Sequence, residues 1–165
     1  MTRRQLMYLL IYIMMFSCNF SEKKGEKTTL KINLEFRKDD KIQLFYTEHP
    51  LDNFIEKKSK TLNIKGQDGI QELIFNFPEE IHPLKIRIDL GDNQSQNIIK
   101  IQTIVISKDD EFIRINSDNF SKYLLPNDYV VHIESSSDFK LDAKKENYDP
   151  YLLSTSLLIK ELIEL

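Results

Sequence analysis

Few residues of this chain have the types and the spacing that catalysis requires. Three histidines lie in separate segments, without the close spacing of a zinc site: His49, His82 and His132. The four glycines form no phosphate-binding loop, and no serine stands in the Gly-x-Ser-x-Gly pattern of a hydrolase nucleophile. The residue types therefore predict no enzyme activity, no metal and no cofactor.

Acidic residues offer two other kinds of chemistry. Adjacent acids occur at predicted turns, where solvated carboxylates are expected: Asp39-Asp40, Glu79-Glu80 and Asp109-Asp110. Two carboxylates brought together by the fold would suit glycoside hydrolysis, so an accessory glycan-active enzyme is the alternative to a protein without catalysis. Three oxygen-bearing side chains around Gly91 either ligate a calcium ion or form an ordinary turn: Asp89, Asp92 and Asn93.

Residues 84–90 place Arg87 and Asp89 on one face of a predicted strand. Arg87 and Asp89 alternate with Ile86 and Ile88, so the charged pair faces away from the core. The two side chains form either an ion pair or part of a ligand-binding patch. With Asp92, Asn93 and Tyr148, they are the candidate ligand-binding residues of the chain.

The only cysteine, Cys18, follows a segment with the organisation of a secretory signal. Arg3 and Arg4 are its positive region, residues 6–16 are its apolar region, and Ser17 is a small residue at the expected cleavage point. A signal that ends at a cysteine resembles the lipobox of bacterial lipoproteins. The resemblance implies cleavage before Cys18, lipidation of its thiol with palmitate-type acyl chains, and a membrane-anchored protein of the bacterial cell envelope. The alternative is an uncleaved signal anchor, although 11 apolar residues are fewer than the ~20 that a spanning helix needs.

The charge of the chain argues against nucleic acid as a partner. The formal charge of −3 becomes about −5 once residues 1–17 are removed, since two arginines and no acid leave with them. Non-specific nucleic-acid binding needs clustered lysine and arginine, so the expected partners are a membrane, through the lipid at Cys18, and a glycan or an envelope protein. A chain of this length supports one domain, whose core must be stable without disulfides.

Apolar residues recur with period two from residue 30 onward, which predicts strands with one buried face. The predicted strands cover residues 30–36, 41–47, 61–64, 71–77, 84–90, 97–107, 111–115, 129–134 and 139–141. The turn at Asp39-Asp40 favours a hairpin of the first two, and a change of apolar parity near Thr103 indicates a bulge or a strand buried on both faces. About nine short strands without crossover helices predict an all-β, antiparallel two-sheet sandwich.

The last residues follow a different pattern. Leucine and isoleucine recur at nearly helical spacing after Asp149-Pro150, which predicts a C-terminal amphipathic helix over Tyr151–Leu165. A final strand at Tyr151–Leu153 before the helix is the alternative. The chain thus divides into a signal peptide (1–17), a lipidated tether (18–29), a β-sandwich domain (30–148) and a C-terminal helical segment (149–165).

Three strands together resemble the galactose-binding-like jelly-roll sandwiches. They are an aromatic strand at Gln43–Thr47, an Arg-x-Asp strand that ends at Gly91, and the isoleucine-rich strand at Ile98–Ile106. The resemblance implies glycan binding through loops or a concave sheet, and links to surface-polysaccharide assembly. The chain departs from that pattern because it has no tryptophan on which a sugar ring would stack. The sequence therefore predicts a lipid-anchored binding or interaction domain, with a glycan-active enzyme or a structural spacer as alternatives.

Overall fold

Eleven strands and two short helices make up most of the chain that the computed structural model describes, residues 27–143 and 146–165. A six-stranded first sheet has the order β4-β1-β6-β10-β9, with β7 paired to β6. Its strands are β1 (Thr28–Glu35), β4 (Gln71–Asn76), β6 (Ile98–Lys108), β7 (Glu111–Ile115), β9 (Val130–His132) and β10 (Asp138–Leu141). The predicted signal peptide and Cys18 lie outside the described residues.

A five-stranded second sheet has the order β3-β2-β5-β11-β8. Its strands are β2 (Asp40–Thr47), β3 (Ser59–Ile64), β5 (Lys85–Asp89), β8 (Leu124–Pro126) and β11 (Tyr151–Ser154). A 3-10 turn at Glu56–Lys58 precedes β3, and the helices are α1 (Phe120–Tyr123) and α2 (Ser156–Glu164). None of the helices in the described part of the chain has the length and apolar character needed to cross a bilayer.

Alternation along the strands builds the core between the two sheets. Leu30, Ile32 and Leu34 of β1 face Ile42 and Leu44 of β2 across the sandwich, and each is at most 1% exposed. Burial of each such side chain contributes about 1.5–3 kcal/mol to folding. The predicted antiparallel two-sheet sandwich is confirmed.

The predicted hairpin of the first two strands is wrong. β1 pairs with β4 and β6 in the first sheet, whereas β2 pairs with β3 and β5 in the second. Phe36, fully buried just after β1, occupies the point at which the chain crosses from one sheet to the other. The Asp39-Asp40 turn therefore connects sheets, because both strands bury a complete face and pack across the core.

The parity change in β6 is a bulge in its pairing with β1. Asn33 pairs with Thr103, and Leu34 pairs with Ile101, so Gln102 is an extra residue on β6. The bulge keeps Ile101 and Ile104 on the same buried face, although they are three residues apart. The predicted irregularity near Thr103 is confirmed.

The C-terminal segment combines a strand with a shorter helix. The prediction of a helix over Tyr151–Leu165 is wrong for its first part, because Tyr151–Ser154 forms β11 between β5 and β8. The helix α2 follows, and the hydroxyl of Thr155 accepts a hydrogen bond from the amide of Leu158 (3.3 Å), as an N-cap does. Leu158 and Leu162 of α2 are fully buried, whereas Leu157 and Ile163 are exposed, so the sandwich covers only part of the apolar surface of the helix.

Candidate functional site

The outer face of the second sheet collects polar and aromatic side chains from three neighbouring strands. The register aligns Gln43 of β2 and Tyr151 of β11 on either side of Asp89. The next row aligns Phe45 and Leu153 on either side of Arg87. These residues face outward because the intervening ones, such as Leu44, Ile88 and Leu152, lie in the core.

Arg87 is the centre of this face. Its Nε donates to Asp89 Oδ1 (2.6 Å) and its Nη2 donates to Asp89 Oδ2 (2.9 Å). The same Nη2 also contacts both carboxylate oxygens of Asp149, at 2.8 and 3.0 Å. The guanidinium carbon lies 4.0 Å from the centroid of the Tyr151 ring and 5.6 Å from that of Phe45. Two carboxylates and two rings thus hold the guanidinium in one orientation.

Burial and charge oppose each other in this ion pair. Desolvation disfavours the Arg87 cation, but the hydrogen bonds and charges of Asp89 and Asp149 outweigh it, so the pKa of Arg87 is raised. Burial raises the pKa of Asp89, and the Arg87 guanidinium opposes that shift. Arg87 and Asp89 lie on one outward face, as the alternation predicts, and of the two alternatives left open the contacts show the ion pair, in which Asp149 is an additional partner.

A polar pocket of about 210 Å³ opens beside Asp89. Its lining residues come from β2, from the end of β5 and the loop after it, and from the segment before β11: Lys41, Gln43, Asp89, Gly91, Asp92, Tyr148 and Asp149. Lys41 Nζ contacts Asp92 Oδ2 at 2.7 Å across one side of the pocket. Three carboxylates, one ammonium, one amide and one phenol therefore surround a small volume, so the pocket suits a ligand with many hydrogen-bonding groups.

Asp40 fixes the loop that forms one wall of the pocket. Its Oδ1 accepts hydrogen bonds from the amides of Lys41 (2.9 Å) and Asp92 (3.1 Å), and its Oδ2 accepts one from Asn93 (3.3 Å). Gly91 has φ +93°, and a Cβ there would lie within contact of the Asp40 carboxylate. Burial raises the pKa of Asp40, and the hydrogen bonds from these three amides oppose that shift.

Tyr148 contributes an unpaired hydroxyl. Its oxygen is buried and has no hydrogen-bond partner among the described residues. Burial, together with the nearby charge of Asp40, raises the pKa of Tyr148 to about 12. The phenol is therefore neutral and able to donate at physiological pH, and its ring packs edge-on against Tyr129 with centroids 6.0 Å apart.

The structure gathers four of the five candidate residues and assigns the fifth to a turn. Asp89, Asp92 and Tyr148 line the pocket, and Arg87 lies beside it. Asn93 is a turn residue instead, since its Nδ2 donates to the carbonyl of Asp39 and its Oδ1 accepts from the amide of Ser95. Asp149 belongs to the site but has no local sequence signal, because it lies 62 residues from Arg87 along the chain.

Protein donors already bind the oxygens that a calcium ion would need. Asp89 accepts from Arg87, Asp92 from Lys41, and Asn93 from Ser95. Within residues 27–143 and 146–165, no group of three or more acidic, histidine or cysteine side chains is arranged to hold a metal ion. The turn interpretation of the Gly91 loop therefore fits the contacts of these side chains better than the calcium one.

The fold and the site define an antiparallel two-sheet β-sandwich with a polar, aromatic-flanked pocket on the outer face of one sheet. Comparison with protein-family models, with curated proteins and with solved structures found no match for this chain. The site must therefore be interpreted from its own contacts.

Proposed function

We propose that this protein is a lipid-anchored, non-enzymatic binding domain of the bacterial cell envelope, and that the pocket beside Arg87 binds a glycan. The observation that supports it most is the density of fixed polar groups around the pocket, next to the half-buried rings of Tyr148 and Tyr151. Hydroxyl-rich ligands need donors and acceptors in fixed positions, and the Arg87 ion pairs and the Asp40 hydrogen bonds supply that rigidity.

The size of the pocket limits what it would take. Pockets for complete small ligands usually enclose about 300–1,000 Å³, and about 210 Å³ is available here. A single sugar unit of a longer chain suits this volume, with neighbouring units along the outer face of the second sheet. A second cavity of about 490 Å³ adjoins it across Asp149 and extends that surface toward Tyr129.

A glycan array with the purified protein tests this proposal, followed by calorimetric titration of any hit. Tyr148→Phe removes the unpaired donor, so we expect about five- to tenfold weaker binding, which is the value of one hydrogen bond. Tyr123→Phe is the matched control, because Tyr123 donates to Glu161 on the C-terminal helix, away from the pocket.

Asp149→Asn provides a second test of the same site. It removes one of the two carboxylates that orient Arg87, so glycan binding should weaken while Asp68→Asn, at a fully exposed turn, leaves it unchanged. An array without any hit, together with a pull-down that recovers one envelope protein, would replace the glycan proposal with a protein-interaction one.

A glycan-active enzyme is the second candidate, supported by two carboxyl groups of raised pKa at one site, Asp40 and Asp89. Catalysis would need free carboxyl oxygens, whereas both carboxylates accept hydrogen bonds from Arg87 or from backbone amides. If the protein releases reducing ends from a glycan that it binds on the array, and Asp89→Asn abolishes this release, the result would favour the enzyme. Binding without product release favours the binding domain.

A further inference from the structure

The sandwich is open along one of its sides. At that side the edge strands are β3 of the second sheet and β4 of the first, and a cavity of about 270 Å³ lies between them. Its inner lining is apolar: Leu44, Tyr46, Phe75, Phe77 and Pro78. Leu44 and Phe75 are 1% exposed, and the rings of Tyr46 and Phe77 meet edge-on with centroids 5.2 Å apart. The cavity therefore enters the hydrophobic core between the two sheets.

The mouth of this cavity carries positive charge. Its polar lining consists of Lys57, Ser59, Lys60 and Asn76, with no carboxylate among the lining residues. Neither lysine forms an ion pair or a hydrogen bond to another side chain within the described residues. This differs from Lys58, which pairs with Glu48 at 2.8 Å. Two unpaired ammonium groups thus stand at the entrance of an apolar cavity.

The position of Lys60 in β3 is a second observation about the cavity mouth. It pairs with Leu44 in the register of β2 and β3, which places it on the core-facing side of β3 with Leu62 and Ile64. A lysine on the inner side of an edge strand discourages pairing with another chain. Protection of the edge strand needs neither a second lysine nor a cavity behind it. A binding site for an anion with an apolar tail would use Lys57, Lys60 and the apolar cavity together.

We propose that this inter-sheet cavity binds a soluble anionic amphiphile, with its alkyl tail between the sheets and its carboxylate at Lys57 and Lys60. The tail contacts Leu44, Phe75 and Phe77, and the two ammonium groups neutralise the head at the mouth. The volume of about 270 Å³ is slightly below the usual range of ligand pockets, so the cavity selects a short chain. The site is distinct from the Arg87 pocket, and none of its lining residues is shared with it.

A chain-length series of carboxylates tests the tail. Hexanoate, octanoate, decanoate and dodecanoate are titrated calorimetrically into the purified full chain, below their micellar concentrations. Each methylene that enters the cavity should tighten binding about fourfold, until the tail outgrows the space and the gain stops. Absence of binding, or affinity that does not depend on tail length, would overturn the proposal.

Charge reversal tests the head. The double variant Lys57→Glu/Lys60→Glu should weaken octanoate binding at least tenfold and change octanol binding less than twofold. The matched control is Lys31→Glu/Lys140→Glu, which makes the same charge change on exposed residues of the first sheet. Equal losses in the two double variants would show that only net charge matters and would overturn the site. Glycan binding should survive in both variants, which separates this proposal from that of the Arg87 pocket.

A lipid acyl chain offers the same chemistry, so vesicles of phosphatidylcholine with phosphatidylglycerol form a second arm. If the carboxylates bind and do not displace the protein from vesicles, the cavity is assigned to a free amphiphile, as proposed. Vesicle binding that decanoate displaces, and that the Lys57→Glu/Lys60→Glu variant loses, assigns it to a membrane lipid and overturns the soluble ligand.

Discussion

Asp40 shows how one side chain can hold a binding loop in place. Its carboxylate accepts three backbone amides, from Lys41, Asp92 and Asn93. In Asp40→Asn, an NH₂ group replaces one of the oxygens and must face at least one of those amides. The free energy of unfolding should fall by about 1–3 kcal/mol, measured by urea denaturation. Asp68→Asn, at an exposed turn, should change it by less than about 0.5 kcal/mol, and equal effects would contradict the anchoring role.

Tyr148 makes the stability of the protein depend on pH in the alkaline range. The folded state holds its pKa near 12, above the ordinary value of 10.0, so the unfolded chain loses this proton first. The contribution is complete below pH 10 and is lost as the pH rises toward 12. Because the ring is only half-buried, we expect a loss on the order of 1 kcal/mol rather than the ~2.7 kcal/mol of two full pKa units.

Tyr148→Phe is the control that isolates this effect from the other groups that titrate there. Unfolding free energies of the two proteins, measured at intervals from pH 8 to pH 12, should diverge only above about pH 10. The variant should be at least as stable as the parent at neutral pH, since the buried hydroxyl has no hydrogen-bond partner among the residues that the structure describes. Parallel curves over the whole range would show that burial does not shift this group.

Local alternation made part of this site predictable from sequence. It placed Arg87 and Asp89 on one outward face, as the register shows. It could not reveal Asp149, because a contact across 62 residues depends on which strands become neighbours. The same limit explains the wrong hairpin of β1 and β2, whose alternation fits pairing within one sheet as well as packing across two.

At the scale of elements, β11 shows how tertiary pairing overrides a local pattern. Leu152, Leu153, Leu157 and Leu158 fit a helical stripe, yet the first two belong to a strand between β5 and β8. The Ser154 hydroxyl ends this strand by donating to the carbonyl of Ile86 (2.9 Å) and accepting from its amide (2.8 Å). A helix beginning before Ser156 would leave those groups of β5 without partners.

Ser154→Ala tests whether the two hydrogen bonds between Ser154 and Ile86 stabilise the fold. The change leaves the buried amide and carbonyl of Ile86 without these partners, so the free energy of unfolding should fall by about 2–3 kcal/mol. Hydrogen exchange at the Ile86 amide should accelerate by more than at Leu30, in the other sheet. Ser121→Ala, on an exposed position of α1, is the matched control, and a similar loss of stability there would rule out a specific role for Ser154.

For the whole molecule, the two proposed sites use different parts of one sheet. The Arg87 pocket occupies the outer face of the second sheet, and the inter-sheet cavity lies behind its β3 edge. At the opposite side, the edge strands β8 and β9 adjoin each other, so the sandwich is closed there. Ligands at the two sites would thus approach from different directions and need not exclude each other.

The anchor predicted at Cys18 would fix this domain near a membrane, and Cys18→Ala tests it. A single acyl chain holds a protein only marginally at a bilayer, whereas several chains on one cysteine hold it firmly. We expect Cys18→Ala to move the protein from the membrane fraction to the soluble one, and metabolic labelling with a palmitate analogue to disappear. Ser17→Ala, which keeps a small residue before the cysteine, should remain labelled and membrane-bound. Full membrane retention of Cys18→Ala would instead identify residues 6–16 as an uncleaved signal anchor.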